Sequence, residues 1–517
     1  EIVGLTKIDD GGNIRLIGSS INDLGLGNPN LEPKDIIIAG ETIELKKSSS
    51  ISTVVGGDVN LSAVDLLLSD QSSITTKSPY GKIGGNILLN TDNLVSDSSE
   101  IGTYAEDGEG GDLVIRADTI KLSLGKMGTT SNPKKISGRA GNIDIDATTS
   151  IWVDKISVKS ESNSSGGTGH LLVKTKDLTM DGTPLTAPSE FAVMANNGPS
   201  SWVEIEADNM ILPAFVFRLE AHNNENYLPD TSEIDRYGLF KLKANNIMFG
   251  KGYLQIISNN KNIGSKIDID VTEDIVSEVL WIVHGSNIVG KPNSDLSWVK
   301  IHSRNFFGKS SPRAHFSVSH SGDFEMTADE KIVLPWGGMG LNEGAALLAS
   351  EQMPSLSTSF IAPDITLGLS PDKNPTNANS FQLFYNVSNQ SNPSVDIIAN
   401  EKLVINPGVI INTPSVHLES SDLQILNAQI NLPGHANHLI EGRDSLILAG
   451  KTKIQLNSFD PKEGEAQEPG KLKFLSKNLV VNSGASVVGS TQGVEPSASL
   501  VLAADNFKLD GGLIQTV

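Results

Sequence analysis

Gly84-Gly85-Asn86 is followed by Ile87 and Leu89, and Gly110-Gly111-Asp112 by Leu113 and Ile115. The two-residue period is that of a strand with one apolar face. In the first copy Ile87, Leu89 and Thr91 share that face, yet the next large apolar residue, Leu94, lies an odd step away, so the chain turns between them. Asp92 and Asn93 stand at the parity break, and both residue types tolerate left-handed backbone and bond their own backbone in turns. Leu94 and Ser96 then make a short second strand, Asp97 to Ser99 a second bend, and Ile101 a third inward residue before the Gly-rich return. That is one triangular coil.

The formula repeats from end to end. Equivalents of Gly85 fall at Gly12, Lys34, Gly57, Gly111, Gly141, Gly169, Ser201, Gly238, Ser265, Ser297, Gly322, Leu356, Ser394, Pro414, Asn437, Gly470 and Ala498. These make about eighteen copies at roughly 20 to 37 residue spacing, the period range of solenoids. The corner residue recurs as Asn93, Asn209, Asn246, Asn305, Asn478 and Asn506, and an Ala often closes the strand before it, as at Ala117, Ala147, Ala207, Ala244 and Ala503. One coil cannot bury its own apolar side, whereas stacked coils can. The expectation is therefore an all-β, single-stranded parallel β-helix (β-solenoid) of roughly eighteen coils with loop insertions. At roughly 4.8 Å between neighbouring strands, it would make a rod on the order of 85 Å long. Ile87, Leu89, Leu94, Leu113, Ile115, Ile120, Ile143, Ile145, Val203, Ile205, Leu500 and Leu502 are expected inside.

The composition suits a narrow core, with 38% hydrophobic but only 5% aromatic residues and 49 Gly among 517. A net charge of −21 disfavours nucleic acid, which needs basic residues against its phosphates, and disfavours docking on anionic lipid. The chain has no Cys, which excludes disulfides, iron–sulfur clusters and thiolate metal sites. No apolar run reaches the roughly eighteen residues of a membrane-spanning helix. No signal peptide is recognised at Glu1-Ile2-Val3, so the sequence is expected to be a mature product or a fragment.

Residues 1–334 are expected to be β-helix, with widened coils about 170–237, where TPLTAPSEFAVMANNGPSS and LEAHNNENYLPDTSEIDRY leave the wall as excursions. Residues 335–356 are expected to interrupt the alternation with a Gly-rich stretch and a short helix from Glu343 to Met353, capped by Asn342. Residues 357–517 continue the β-helix. Neither end carries an evident cap, and uncapped coils would allow head-to-tail self-association into a filament or pairing with further sequence.

Gly84 to Leu94, Gly110 to Ile120 and Ala140 to Ile151 carry the pattern GG-N-I-x-I-x-A-x-x-L best. It resembles the haemagglutination-activity repeats of filamentous-haemagglutinin-like exoproteins of two-partner secretion. The resemblance implies a right-handed β-helix, an extracellular or outer-surface location, export through an outer-membrane pore partner, and adhesion or biofilm formation on carbohydrate or protein of a cell surface or matrix. The family's secretion domain carries Asn-Pro-Asn-Gly; here only Asn28-Pro29-Asn30-Leu31 and Asn406-Pro407-Gly408 approach it.

The rival expectation is a polysaccharide-processing enzyme, a lyase, glycosidase or tailspike-like hydrolase. Hydrolysis would need two carboxylates at controlled separation, and Asp9-Asp10 is the only adjacent Asp pair. Asp107, Glu109 and Asp112 are candidates for calcium, which takes six to eight oxygens, but their loop lacks the calcium-binding nonapeptide pattern. His302, His315, His320, His435 and His438 form two groups, expected as turn residues rather than metal ligands. Of the tryptophans able to stack on sugars, Trp202, Trp281 and Trp298 sit in strand patterns, and Trp336, expected in a Gly-rich loop, is the exception. The favoured expectation is a surface adhesin without a catalytic centre.

Overall fold

A computed structural model describes residues 6–9, 11–23, 33–78, 83–106, 108–132, 138–183, 186–222, 236–258, 264–285, 297–309, 315–320, 322–341, 357–369, 381–384, 394–433, 436–458, 470–491 and 499–516. Among the described residues every regular element is a β-strand. The chain forms two compact units, residues 1–270 and 271–517. Within each, long and short strands mostly alternate, and most pair in parallel with the next but one, a repetitive β-solenoid-like arrangement.

In the first unit the long strands include Ile36–Lys46, Val59–Leu68, Ile87–Asp97, Leu113–Ser123, Ile143–Asp154 and Leu171–Asp181. Ser73–Ser78, Glu100–Ala105, Lys126–Ser131, Ser157–Ser162 and Ser189–Ala195 are short strands between them. In Val203–Ala221 and Leu239–Ser258 the long and short segments run together as one strand. The parity break appears as burial: Ile87, Leu89 and Thr91 point inward, Asp92 is exposed, and Leu94 and Ser96 point inward again. Across the corner the pairing skips a step, from Arg116↔Asn90 to Thr119↔Asn93. The expected inward residues from Ile87 to Ile205 are all buried.

The repeated glycine has a steric cause. A Cβ on Gly57 would lie 1.9 Å from the carbonyl oxygen of Lys34, and on Gly85 1.9 Å from that of Gly57. The same contact recurs for Gly111 on Gly85, Gly141 on Gly111 and Gly169 on Gly141. Backbones of successive coils touch at this return, so only a residue without a side chain fits.

A buried hydroxyl stands opposite the glycine carbonyl in four of these coils. Thr53 Oγ1 donates to Gly57 O at 2.6 Å, Thr76 to Gly85 at 2.5 Å, Thr103 to Gly111 at 2.6 Å and Thr129 to Gly141 at 2.7 Å. The four threonines are fully buried and occupy one register row, which continues to Ser160. The row then turns apolar at Val193 and Leu219. From there phenylalanines fill the interior: Phe215 and Phe217 lie 5.3 Å apart, Phe217 and Phe240 5.3 Å, Phe215 and Phe249 5.4 Å.

In the second unit the long strands include Trp298–Gly308, Asp323–Leu334, Ser357–Leu367, Ser394–Ile405, Ser415–Leu426, Asn437–Ala449, Lys471–Asn482 and Ser499–Asp510. Phe306, Phe324, Phe360, Phe381 and Phe474 are fully buried there.

Several expectations are corrected. The stretch Asn13–Ile17 pairs with Thr42–Lys46, the segment after the corner, so Gly12 marks a corner and not a return. Ser394 pairs with Ser415 and Asn437 with Lys471, which puts both markers one residue late. Ser189–Ala195 is a wall strand with Phe191, Val193 and Ala195 inside, and not part of an excursion, because its apolar residues alternate. Gly337–Leu341 is also a strand, paired with Phe316–His320 and Gln382–Phe384, so the alternation persists past Pro335; the helix expected at Glu343–Met353 lies outside the described residues. Leu500 is half-buried and Leu502 38% exposed, because among the described residues the strand Ser499–Asp510 is paired along one edge, to Lys471–Asn482.

Candidate ligand-binding cleft

The corner asparagines do not use left-handed backbone; positive φ at non-glycine residues falls instead at the second bend, at Asp70, Gln71, Ser98, Leu124 and Lys155. Their side chains work between coils. Asn93 Nδ2 donates to Asp65 Oδ1 at 2.9 Å, and Asn93 Oδ1 accepts from Thr119 Oγ1 at 2.8 Å. Asn209 donates to Asp177 at 2.8 Å and pairs in register with Asn246. Asn305 bonds Asp274 and Glu330, and Asn506 donates to Asn478 Oδ1 at 2.9 Å.

Of the calcium candidates, Asp107 lies outside the described residues. Glu109 is exposed and its backbone carbonyl accepts the Gly84 N–H. Asp112 belongs to a different device. The backbone N–H of Asp58 donates to Asp35 Oδ1, that of Asn86 to Asp58, Asp112 to Asn86, Asn142 to Asp112 and His170 to Asn142, at 2.7 to 3.2 Å. The ladder ends in a stack: the His170 ring lies parallel to Trp202 at 4.2 Å, and Arg236 covers Trp202 at 5.2 Å. Among the described residues no three His, Asp or Glu side chains converge as a metal site would require.

His302 Nδ1 lies 2.9 Å from Thr327 Oγ1 and His438 is buried, whereas His435 and the side chains of His315 and His320 lie outside the described residues. Trp336 reverses the expectation, being 7% exposed and packed with Leu369, while Trp281 is 40% exposed.

The short strands of the first unit assemble a site that no contiguous motif announced. A cleft of 430 Å³ crosses five successive coils and takes one cation from each of four of them: Lys126, Lys155, Arg218 and Lys251. Among the described residues Glu190 supplies its one carboxylate, and Ile156, Pro188, Val216 and Tyr253 give it an apolar lining. Register explains the convergence, since Lys126 pairs with Ser157, Ser157 with Glu190, Glu190 with Val216 and Val216 with Tyr253.

Glu190 is held by contacts to Oε2 and faces a guanidinium across Oε1 without a hydrogen bond. Lys159 Nζ is 2.8 Å from Oε2, Ser157 Oγ donates to Oε2 at 3.1 Å, and Arg218 Nε lies 3.4 Å from Oε1. Arg218 also donates to Tyr253 Oη and stacks its guanidinium 5.5 Å over that ring. Burial disfavours charge on Arg218, but Tyr253, Glu190 and Glu220 outweigh it and hold its pKa above the ordinary guanidinium value. Behind it, a hydrogen bond to Glu220 at 2.9 Å raises the His222 pKa against the opposing effect of burial.

A second groove, 470 Å³ at the corner, brings Lys174, Lys176 and Lys243 together with Asp146, Glu206 and Asp208. There Glu206 sits 3.8 Å from Lys174 and 3.2 Å from Lys243, and the charges balance internally. The short-strand cleft differs in that Lys126 and Lys155 stand exposed in its lining beside the cluster in which Arg218 meets Glu190 and Glu220.

No family model matches the chain, and neither a curated protein nor a solved structure does.

Proposed function

We propose that the chain is a structural exoprotein and adhesin of the bacterial outer surface, acting by retaining a ligand rather than by turning one over. Its coils wind as a right-handed, single-stranded parallel β-helix, a reading supported by the next-but-one parallel pairing and the rows of stacked residues. Export through an outer-membrane pore partner, and attachment to carbohydrate or protein of a cell surface or matrix, follow from the resemblance of its repeats.

The observation that carries the binding reading is the state of Glu190. General acid–base hydrolysis asks for two carboxylates flanking a bond, one of them free to exchange a proton. Among the described residues the cleft holds one carboxylate, and Lys159, Ser157 and Arg218 engage it. Its remaining polar groups are cations and a phenol that hold a ligand in place. Incubation of the full chain with a panel of polysaccharides and matrix proteins tests this reading. Retention without new reducing ends or unsaturated products is the expected result, and steady product release overturns it in favour of a polysaccharide-processing enzyme.

A further inference from the structure

We infer that the short-strand cleft recognises a linear acidic polysaccharide, one bearing carboxylate or sulfate groups along an extended chain; this rests on the binding reading above and names its ligand class. Charge is the first observation. The whole chain carries a formal −21, yet four cations line this one cleft; Arg218 is met by Glu190 and Glu220 and Lys251 has a partner of its own, so the exposed Lys126 and Lys155 carry the positive charge offered to a ligand. Exposed charge of that sign on an acidic protein attracts anions by complementarity, and the surrounding negative surface limits how much anionic charge can follow.

Geometry gives the ligand its shape. The cations come from successive coils, Lys126, then Lys155, then Arg218 and Lys251, so they are strung along the stacking direction. Neighbouring strands stand about 4.8 Å apart, so five coils extend over about 19 Å. Lys126 and Lys155 are exposed at one end, and Arg218 is braced by Tyr253 and Glu190 near the other. An extended polymer with an anionic group on every ring or every second ring meets that spacing.

The floor separates a glycan from a peptide. It is made of strand faces, with Ile156, Val216 and Tyr253 between the cations, and it offers no open strand edge. A peptide laid there would leave its N–H and C=O groups without the ladder that strand addition provides. A sugar chain needs only apolar C–H contacts and side-chain hydrogen bonds.

Calorimetric titration with four probes tests the inference: polygalacturonate, dextran sulfate, carboxyl-reduced polygalacturonate and polyglutamate, each against the full chain and against Lys126→Glu/Lys155→Glu. Both lysines are exposed, so an unchanged unfolding curve is the control for folding. The expected result is binding of polygalacturonate or dextran sulfate roughly tenfold or more tighter than the neutral or peptide probe, weakened about tenfold by the double substitution and by added salt. Which of the two binds separates carboxylate from sulfate recognition. Equal binding of the neutral polymer, polyglutamate binding as tightly, no binding of either acidic glycan, or an unaffected double variant overturns the inference. Retention of a neutral glycan or matrix protein elsewhere would leave the adhesin reading standing, whereas cleavage of a bound acidic glycan would remove that reading and keep the ligand class.

Discussion

The coils between Val59 and Ser162 and those between Ser189 and Ser258 belong to one compact unit, yet they fill their interiors differently. In the first set buried threonines bond the carbonyls of close-packed glycines. In the second, Val193 and Leu219 take over the same row and Phe191, Phe215, Phe217, Phe240 and Phe249 fill the space. A hydroxyl–carbonyl bond contributes about 0.5–1.5 kcal/mol net, less than the roughly 1.5–3 kcal/mol from burying a phenylalanine. The directional bond, however, accepts one partner in one place. The difference teaches that glycine–threonine coils gain register, and phenylalanine coils gain stability.

The largest effect should come from Phe217→Ala. Phe217 is fully buried and lies within 6.2 Å, ring to ring, of Phe191, Phe215 and Phe240. Its truncation is expected to cost about 3–5 kcal/mol. Since coils contact mainly their neighbours, hydrogen exchange should accelerate in 189–258 and stay slow in 59–131. Uniform acceleration over both sets would erase the distinction.

Thr103→Val should be milder, at about 1–3 kcal/mol, because it leaves the buried Gly111 carbonyl without its hydroxyl donor while keeping the shape. Thr103→Ser should recover most of the loss. Urea unfolding of both variants checks this, and a valine variant as stable as the native chain would show that the row is held by packing alone.

The smallest effect is electrostatic and belongs to the phenylalanine coils. His222 has a folded pKa raised by Glu220, so its contribution is fully present below its unfolded value near 6.5 and is lost as pH rises through the raised value. His222 is partly exposed although Glu220 is buried, and solvent screening at the imidazole holds the effect to about 1 kcal/mol. Unfolding midpoints should therefore fall slightly from weakly acidic to weakly basic pH, and this slope should flatten in His222→Ala.

Much of the fold was legible in the sequence because the Gly-Gly-Asn/Asp return and the parity break at Asn93 are local signals with mechanical causes. Threonine row and phenylalanine filling were not. Thr76 and Thr103 follow their inward neighbours Ile74 and Ile101 by two, but hydroxyl side chains beside Gly and Ser read as bend material. Leu502 misled for another reason: its burial depends on what lies over it, which its own strand cannot reveal. Gly12 misled because a glycine pair also suits a corner. The cleft was invisible because Lys126, Lys155, Glu190, Arg218 and Lys251 stand a coil apart, and only alignment by pairing register brings them together.

The Asp35-to-His170 ladder has a polarity. At every rung the earlier coil supplies the side-chain oxygen and the later coil the backbone N–H, never the reverse. A finished coil thus holds out an unfilled acceptor to the coil that follows it, and once that coil has closed, its own oxygen faces onward. The stretch is therefore directional in its side chains: a coil placed after it finds an acceptor already in position, while the main-chain bonds beside the ladder run the other way, from Ile36 N–H to Asp58 O and from Ile87 N–H to Asp112 O.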